Sequence, residues 1–145
     1  MPSLNYYLNA LGRCGTLYRS RHLEDTALGA NDASYLFRIC HHAGESQEAL
    51  ARALYVSKCN VTRRLAHLEA QGYITRTPSE QDKRVMLVYP TQKALDTLPR
   101  LREVNAVWRE ALTADFTPEE TETFELLLSR ALKNGRALVD GEVEP

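Results

Sequence analysis

Apolar residues recur every three or four positions over most of this chain, and the exceptions are short. Leu4, Tyr7, Leu11, Cys14 and Tyr18 form such a stripe, which predicts a helix over residues 4–22. LGAN, at 28–31, breaks the pattern. Asn31 or Asp32 is placed to cap a second helix, with Leu36, Ile39, Cys40 and Ala43 facing a core and Gly44 ending it. Ser46 opens a short helix, SQEALARAL, with Ala49, Leu50 and Ala53 inward, and Tyr55-Val56 makes a turn. Ser57 caps a longer helix, SKCNVTRRLAHLEAQ, whose buried face carries Val61, Leu65 and Leu68. Gly72 follows its last turn, where a left-handed residue is favoured.

The period then changes. Tyr73 to Thr77 and Val85 to Tyr89 are β-rich, and the polar run Pro78 to Lys83 lies between them, so the segment predicts a hairpin, or wing. Thr91 caps a long helix with Leu95, Leu98, Leu101, Val104, Trp108 and Leu112, in which Pro99 predicts a bend. Thr117-Pro118-Glu119-Glu120 has the form of a capping box with proline at the first helical position. A last helix carries Phe124, Leu127, Leu128, Ala131 and Leu132, and the tail after Gly141 is expected to fray. The fold class expected is mainly α with a small β-hairpin wing: a winged helix-turn-helix over 31–90, with dimerisation helices over 1–30 and 91–145. The long flanking helices carry more apolar surface than one small wing domain can cover, which predicts a homodimer.

Composition narrows the function classes. With 145 residues, 43% of them hydrophobic and 26% charged, the chain is globular in type rather than disordered. It contains no run of eighteen apolar residues, and MPSLNYYLNALGRCG lacks the basic start and apolar centre of a signal peptide. Three cysteines at no metal-like spacing fit free thiols in a reducing compartment, so a cytoplasmic location is expected. A net charge of −1 argues against nucleic acid until its distribution is read. Between residues 46 and 91 seven basic side chains face four acidic ones, leaving +3 there and −4 elsewhere. A basic middle flanked by acidic helices is a local electrostatic footprint.

The helix from Ser57 to Gln71 divides into an apolar face and a short-polar, cationic one, the division a helix needs to lie in the major groove. Its outward positions are Lys58, Asn60, Thr62, Arg63, Arg64 and His67. Arginine pairs bidentately with guanine and asparagine with adenine, while serine and threonine reach bases or phosphates. Ser57, Asn60, Thr62 and Arg63, toward the N-terminal half, are the favoured contacts. At the hairpin tip Lys83 and Arg84 are placed for the minor groove and its phosphates. Asp82 beside them would repel phosphate, so a pairing with Arg76 or Arg84 that shapes the wing explains it better.

V-T-R at 61–63, L-E-x-x-G-Y-I-x-R from Leu68 to Arg76, and D-K-R at 82–84 together resemble the MarR family of winged-helix regulators. The flanking helices fit that family's dimer-forming layout. The resemblance implies a transcription regulator, expected to repress from a pseudo-palindromic site on double-stranded DNA as a homodimer and to be released by a small aromatic or phenolic ligand. It also implies that Thr62 and Arg63 read the major groove, that Arg84 enters the minor groove, and that Asp82 orders the wing by pairing with Arg76. The chain departs from the pattern at Pro90-Thr91, at Ala94 where glycine is usual, and at Pro99.

Three constellations are candidates for the signal. Cys14 and Tyr18 form a Cys-x-x-x-Tyr that resembles an oxidant-sensing branch of the family, with Arg13 and Arg19 nearby. Tyr18, Tyr35, Phe37, Arg38 and Trp108 are candidates to line an apolar pocket with a cation for a carboxylate. Cys40-His41-His42 points its members apart on a helix and has no second cluster, so no metal and no cofactor is expected. No Gly-rich phosphate loop, G-x-S-x-G or H-E-x-x-H is present, and the expectation is that the chain is not an enzyme. A winged-helix protein-interaction module is the alternative of another class, but it would not need Arg63 and Arg84 together.

Overall fold

In a computed structural model, which describes residues 1–142, the chain divides into two compact units, residues 1–108 and 109–145. The first unit opens with α1, Leu4–His22, capped by Ser3, whose side chain accepts from the Tyr6 N–H. A loop containing a short 3₁₀ turn leads to α2, Asp32–His41. The two-residue strand β1, Glu45–Ser46, follows and was not expected. Then come α3, Gln47–Leu54, and α4, Lys58–Ala70, each capped by the serine expected: Ser46 accepts from the Ala49 N–H and Ser57 from the Asn60 N–H. Tyr55 makes the corner between them in the left-handed region, at φ 54°.

The end of α4 follows from its glycine. Gly72 takes φ 79°, its N–H donates to the Glu69 carbonyl, and the Tyr73 N–H reaches back to that of Leu68. These two bonds satisfy carbonyls the helix cannot satisfy itself. Lys93 adds a cation there, donating to the Gln71 carbonyl at 2.7 Å.

The expected hairpin is present as β2, Ile74–Pro78, and β3, Met86–Pro90, antiparallel with Thr75 opposite Tyr89 and Thr77 opposite Leu87. β1 adds to the other side of β3, so the sheet order is β1-β3-β2. Pro78 is tolerated because β2 is an edge strand. α5, Gln92–Leu112, runs unbroken past Pro99.

The core lies between the helices and one face of the sheet: Leu36, Ile39, Leu50, Val61, Leu65, Leu68, Tyr73, Ile74, Val88 and Leu101 are each at most 2% exposed. Ala43, expected to face the core, is not in it. It is exposed because α2 ends before it, and Leu95 is 41% exposed because Ala94, fully buried, takes the inward position at the start of α5. Within the second unit, α6, Pro118–Glu142, opens with the expected capping box: the Thr117 N–H donates to Glu120 Oε2 and the Glu120 N–H to Thr117 Oγ1. Phe116 meets Phe124 edge-on at 5.5 Å and Arg109 pairs with Glu125. α6 continues through Gly141 to Glu142, and the expectation of fraying beyond that falls outside the described residues. Among the described residues no helix is long and apolar enough to cross a membrane.

Candidate nucleic-acid interface

α3, the Tyr55 corner and α4 form a helix-turn-helix, and the polar face of α4 points outward as its sequence division requires. Ser57, Lys58, Asn60, Thr62 and Arg63 are all exposed, while Val61, Leu65 and Leu68 hold the other face in the core. Several of these side chains already have work in the free protein. The Ser57 hydroxyl caps α4, the Thr62 hydroxyl donates to the Lys58 carbonyl at 3.0 Å, and Lys58 pairs with Glu48 at 3.5 Å. Arg63 NH2 donates to Asn60 Oδ1, which fixes the two side chains relative to one another on the exposed face. Neither is buried by the contact, so both present further donors to a groove.

Arg64 lines a cleft with Asn60 and Arg63 but is only partly exposed. Its guanidinium turns back toward Asp32, NH1 standing 3.7 Å from Oδ1, and its side chain is 38% exposed. One helical position, about 100° around the axis, separates it from Arg63 and accounts for the difference. His67 also points inward, its Nε2–H donating to the Ala27 carbonyl at 2.9 Å.

The wing tip carries Lys83 and Arg84, both exposed, with the Arg84 side chain 91% accessible. Here the structure corrects the pairing that the family resemblance implied. Asp82 pairs with Arg84 rather than Arg76: Oδ1 accepts from the Arg84 N–H and Nε, each at 3.1 Å, and Oδ2 from NH2 at 3.2 Å. The Val85 N–H donates to the Asp82 carbonyl, so one aspartate ties the whole turn. The Arg84 guanidinium and N–H hold the Asp82 carboxyl below its ordinary range. Arg76 is instead a strut at the base of the wing, donating to Glu69 of α4 at 3.0 and 3.4 Å and to Gln47 of α3 at 3.1 Å. Its hydrogen bonds, and after them its charge, draw Glu69 below the usual carboxylate value. Neither partner was anticipated, although Glu69 lies within the L-E-x-x-G-Y-I-x-R run that ends on Arg76. A groove of about 230 Å³ brings Lys58 and Thr62 of α4 together with Arg84 of the wing.

The aromatic constellation read from the sequence does not converge. Tyr18 stacks on Trp108 at 5.4 Å, whereas Tyr35 is 3% exposed and lines a different cleft of about 770 Å³ with Ser34, Asn60, Arg63, Arg64 and His67. Arg38 is committed to Glu45, its Nε and NH2 donating at 2.9 and 2.5 Å, and so fastens α2 to β1. Burial pushes the Tyr35 hydroxyl and the Cys40 thiol up. Cys14 is exposed on α1, one turn from Tyr18, and Arg19 donates to the Ala30 carbonyl at 2.9 Å. Among the described residues no group of three or more His, Cys, Asp or Glu side chains is placed to hold a metal ion.

A helix-turn-helix with a polar, cation-bearing second helix, followed by a hairpin tipped with lysine and arginine, defines a winged-helix DNA-binding protein. The model of the MarR family matches residues 28–86. An HTH-type transcriptional regulator of Bacillus subtilis (strain 168), YybA, is 36% identical over 111 residues, covering 77% of this chain and 74% of that protein. Among solved structures, the crystal structure of MarR superposes with a TM-score of 0.89 at 26% identity, covering 97% of this chain and 95% of that one. A cysteine-to-serine mutant of MarR from E. coli complexed with operator DNA superposes with a TM-score of 0.80 at 25% identity, covering 89% and 93%. The chain belongs to the MarR family. It is a DNA-binding transcription regulator, not an enzyme.

Proposed function

We propose that this regulator is a cytoplasmic repressor that binds a pseudo-palindromic operator as a homodimer, reading each half-site with α4 and the wing. The observation that carries the reading is that Lys58 and Thr62 of α4 share one groove with Arg84 of the wing, while Arg63 stands exposed on the same helix. In this reading Asn60, Thr62 and Arg63 meet base edges, Ser57 and Lys58 meet nearby phosphates, and Lys83 and Arg84 meet the minor groove and its backbone. Arg76 and Asp82 order the wing. Support for pairing comes from exposed apolar residues on two helices: Leu4, Tyr7, Leu8 and Leu11 on α1, and Leu126, Leu127, Leu128 and Leu132 on α6. A second copy would remove such surface from water. The segments 1–30 and 91–145 would then join the copies, and 31–90 would bind DNA.

Gel shifts at several salt concentrations test the reading. Operator affinity is expected to fall steeply with salt through counterion release. Arg63→Ala is expected to lose about 1–3 kcal/mol of operator binding, as the loss of a bidentate guanine contact does. Operator binding at parental strength by both Arg63→Ala and Arg84→Ala would sink the contact assignment.

The signal that ends repression is read as a small aromatic compound, tested by a thermal-shift screen followed by release of bound operator. A thiol mechanism is the second reading, favoured by the exposed Cys14. If it operates, peroxide releases DNA from the parent and not from Cys14→Ser.

A further inference from the structure

Among the described residues Asp32 alone is both charged and fully buried. It is the first residue of α2, yet it does not cap that helix. Its Oδ2 reaches back to accept from the Gly29 N–H at 2.6 Å. Its Oδ1 has no hydrogen-bond partner among the described residues and faces Arg64 NH1 at 3.7 Å. Gly29 makes the arrangement possible: a Cβ there would stand 3.2 Å from both Arg64 NH1 and Asp32 Oδ2.

Two further bonds tie the neighbouring chain to the α1–α2 loop. His67, three residues after Arg64 on α4, donates to Ala27, and the Tyr73 hydroxyl donates to the Thr26 carbonyl at 2.6 Å. Ala27 itself sits in the left-handed region at φ 59°, so its carbonyl is held in a tight turn. The loop is thus held by His67 of α4 and by Tyr73, which follows the C-terminal glycine, while Arg64 reaches it through Asp32.

A buried carboxylate with one oxygen lacking a hydrogen bond is costly, and a negative charge beneath a DNA-binding helix repels phosphate. Neither packing nor attraction to DNA accounts for Asp32. Its effect on Arg64 does. We propose that Asp32 is a positioning residue for DNA binding: it draws Arg64 back from the groove-facing side of α4 and seats that helix on the α1–α2 loop. The inference rests on the reading of α4 as the recognition helix. Arg64, expected from the sequence to touch DNA, is on this account a strut.

Asp32→Asn tests it, because asparagine has the same shape and still accepts from the Gly29 N–H. If the aspartate acted only through its field, removing its charge would strengthen DNA binding. Positioning predicts the opposite: operator affinity falls about fivefold or more, while affinity for unrelated duplex and the salt slope stay at parental values. Unchanged or tighter operator binding overturns the proposal. So does a salt slope steeper by about one, which would mean that freed Arg64 reaches a phosphate.

Arg64→Gln approaches the same contact from α4 and keeps the question open to measurement if Asp32→Asn does not fold. It is expected to lose a similar factor with an unchanged slope, and a slope shallower by about one would instead make Arg64 a direct contact. Where both variants fold, the double variant is expected to be no worse than the poorer single one, because both break one interaction. Arg63→Ala separates this failure from failure of the underlying reading. If Arg63→Ala binds operator like the parent, α4 is not the reader, whatever Asp32→Asn does.

Discussion

Leu65 of α4 and Leu128 of α6 are the same residue, each on a helix with a regular apolar stripe, yet one is fully buried and the other 41% exposed. The α4 stripe meets α2, α3 and the sheet within its own unit, so its burial is complete in a single chain. The α6 stripe keeps Leu126, Leu127, Leu128 and Leu132 open to solvent. A helical period thus says that a face is apolar. It does not say which chain will cover it.

Substitution at the two leucines is the strongest way to sharpen this contrast. Leu65→Ala is expected to cost about 2–5 kcal/mol in urea unfolding, and the loss should not depend on protein concentration. Leu128→Ala should cost less, and its cost should appear as a weaker dimer, read by sedimentation and by a melting temperature that varies more with concentration. If both losses were independent of concentration, α6 would not be an inter-chain surface. Smaller still is the effect of removing a helix cap: Ser57→Ala should destabilise by about 1 kcal/mol, and Ser57→Gly by a few tenths.

The mildest test uses pH. Arg38 holds the Glu45 carboxyl below its ordinary value of 4.5, chiefly through the hydrogen bonds between them. Because the folded value is the lower one, the pair stabilises the fold fully above the ordinary range and is lost as pH falls through the lowered value. Arg38→Gln should therefore lower stability at neutral pH and flatten the acid limb of the stability curve, while leaving stability near the parent's once the glutamate is protonated in both.

Local chemistry was readable in the residues; encounters between distant residues were not. Ser46, Ser57, Gly72 and the Thr117–Glu120 capping box stand where the sequence puts them because a cap is decided within four residues. β1 escaped notice because two residues, Glu45 and Ser46, have no period, and only β3 makes them a strand. Arg64 looked like its neighbour Arg63 because a helical wheel does not show a buried aspartate thirty-two positions earlier. For Asp82 the residues themselves offered Arg76 or Arg84 and the resemblance only Arg76; Arg84, two residues away, is the partner, and Arg76 turns to Gln47 and Glu69. Of the aromatic candidates, Tyr18 stacks on Trp108 while Tyr35 lines a separate cleft, a placement that the spacing of the residues does not reveal.

The self-paired wing tip has a kinetic consequence. Arg84 carries its own counter-charge, so together with Asp82 it approaches a duplex as a small dipole rather than a bare cation. A dipole's field decays faster with distance than a charge's, and the pair therefore adds little to long-range capture. If the proposed wing contact is made, its guanidinium passes to the backbone only after contact, when a phosphate displaces the carboxylate. Such an exchange acts on how long a complex lives rather than on how fast it forms, and it favours sites whose groove admits the whole side chain over the rest of the chromosome.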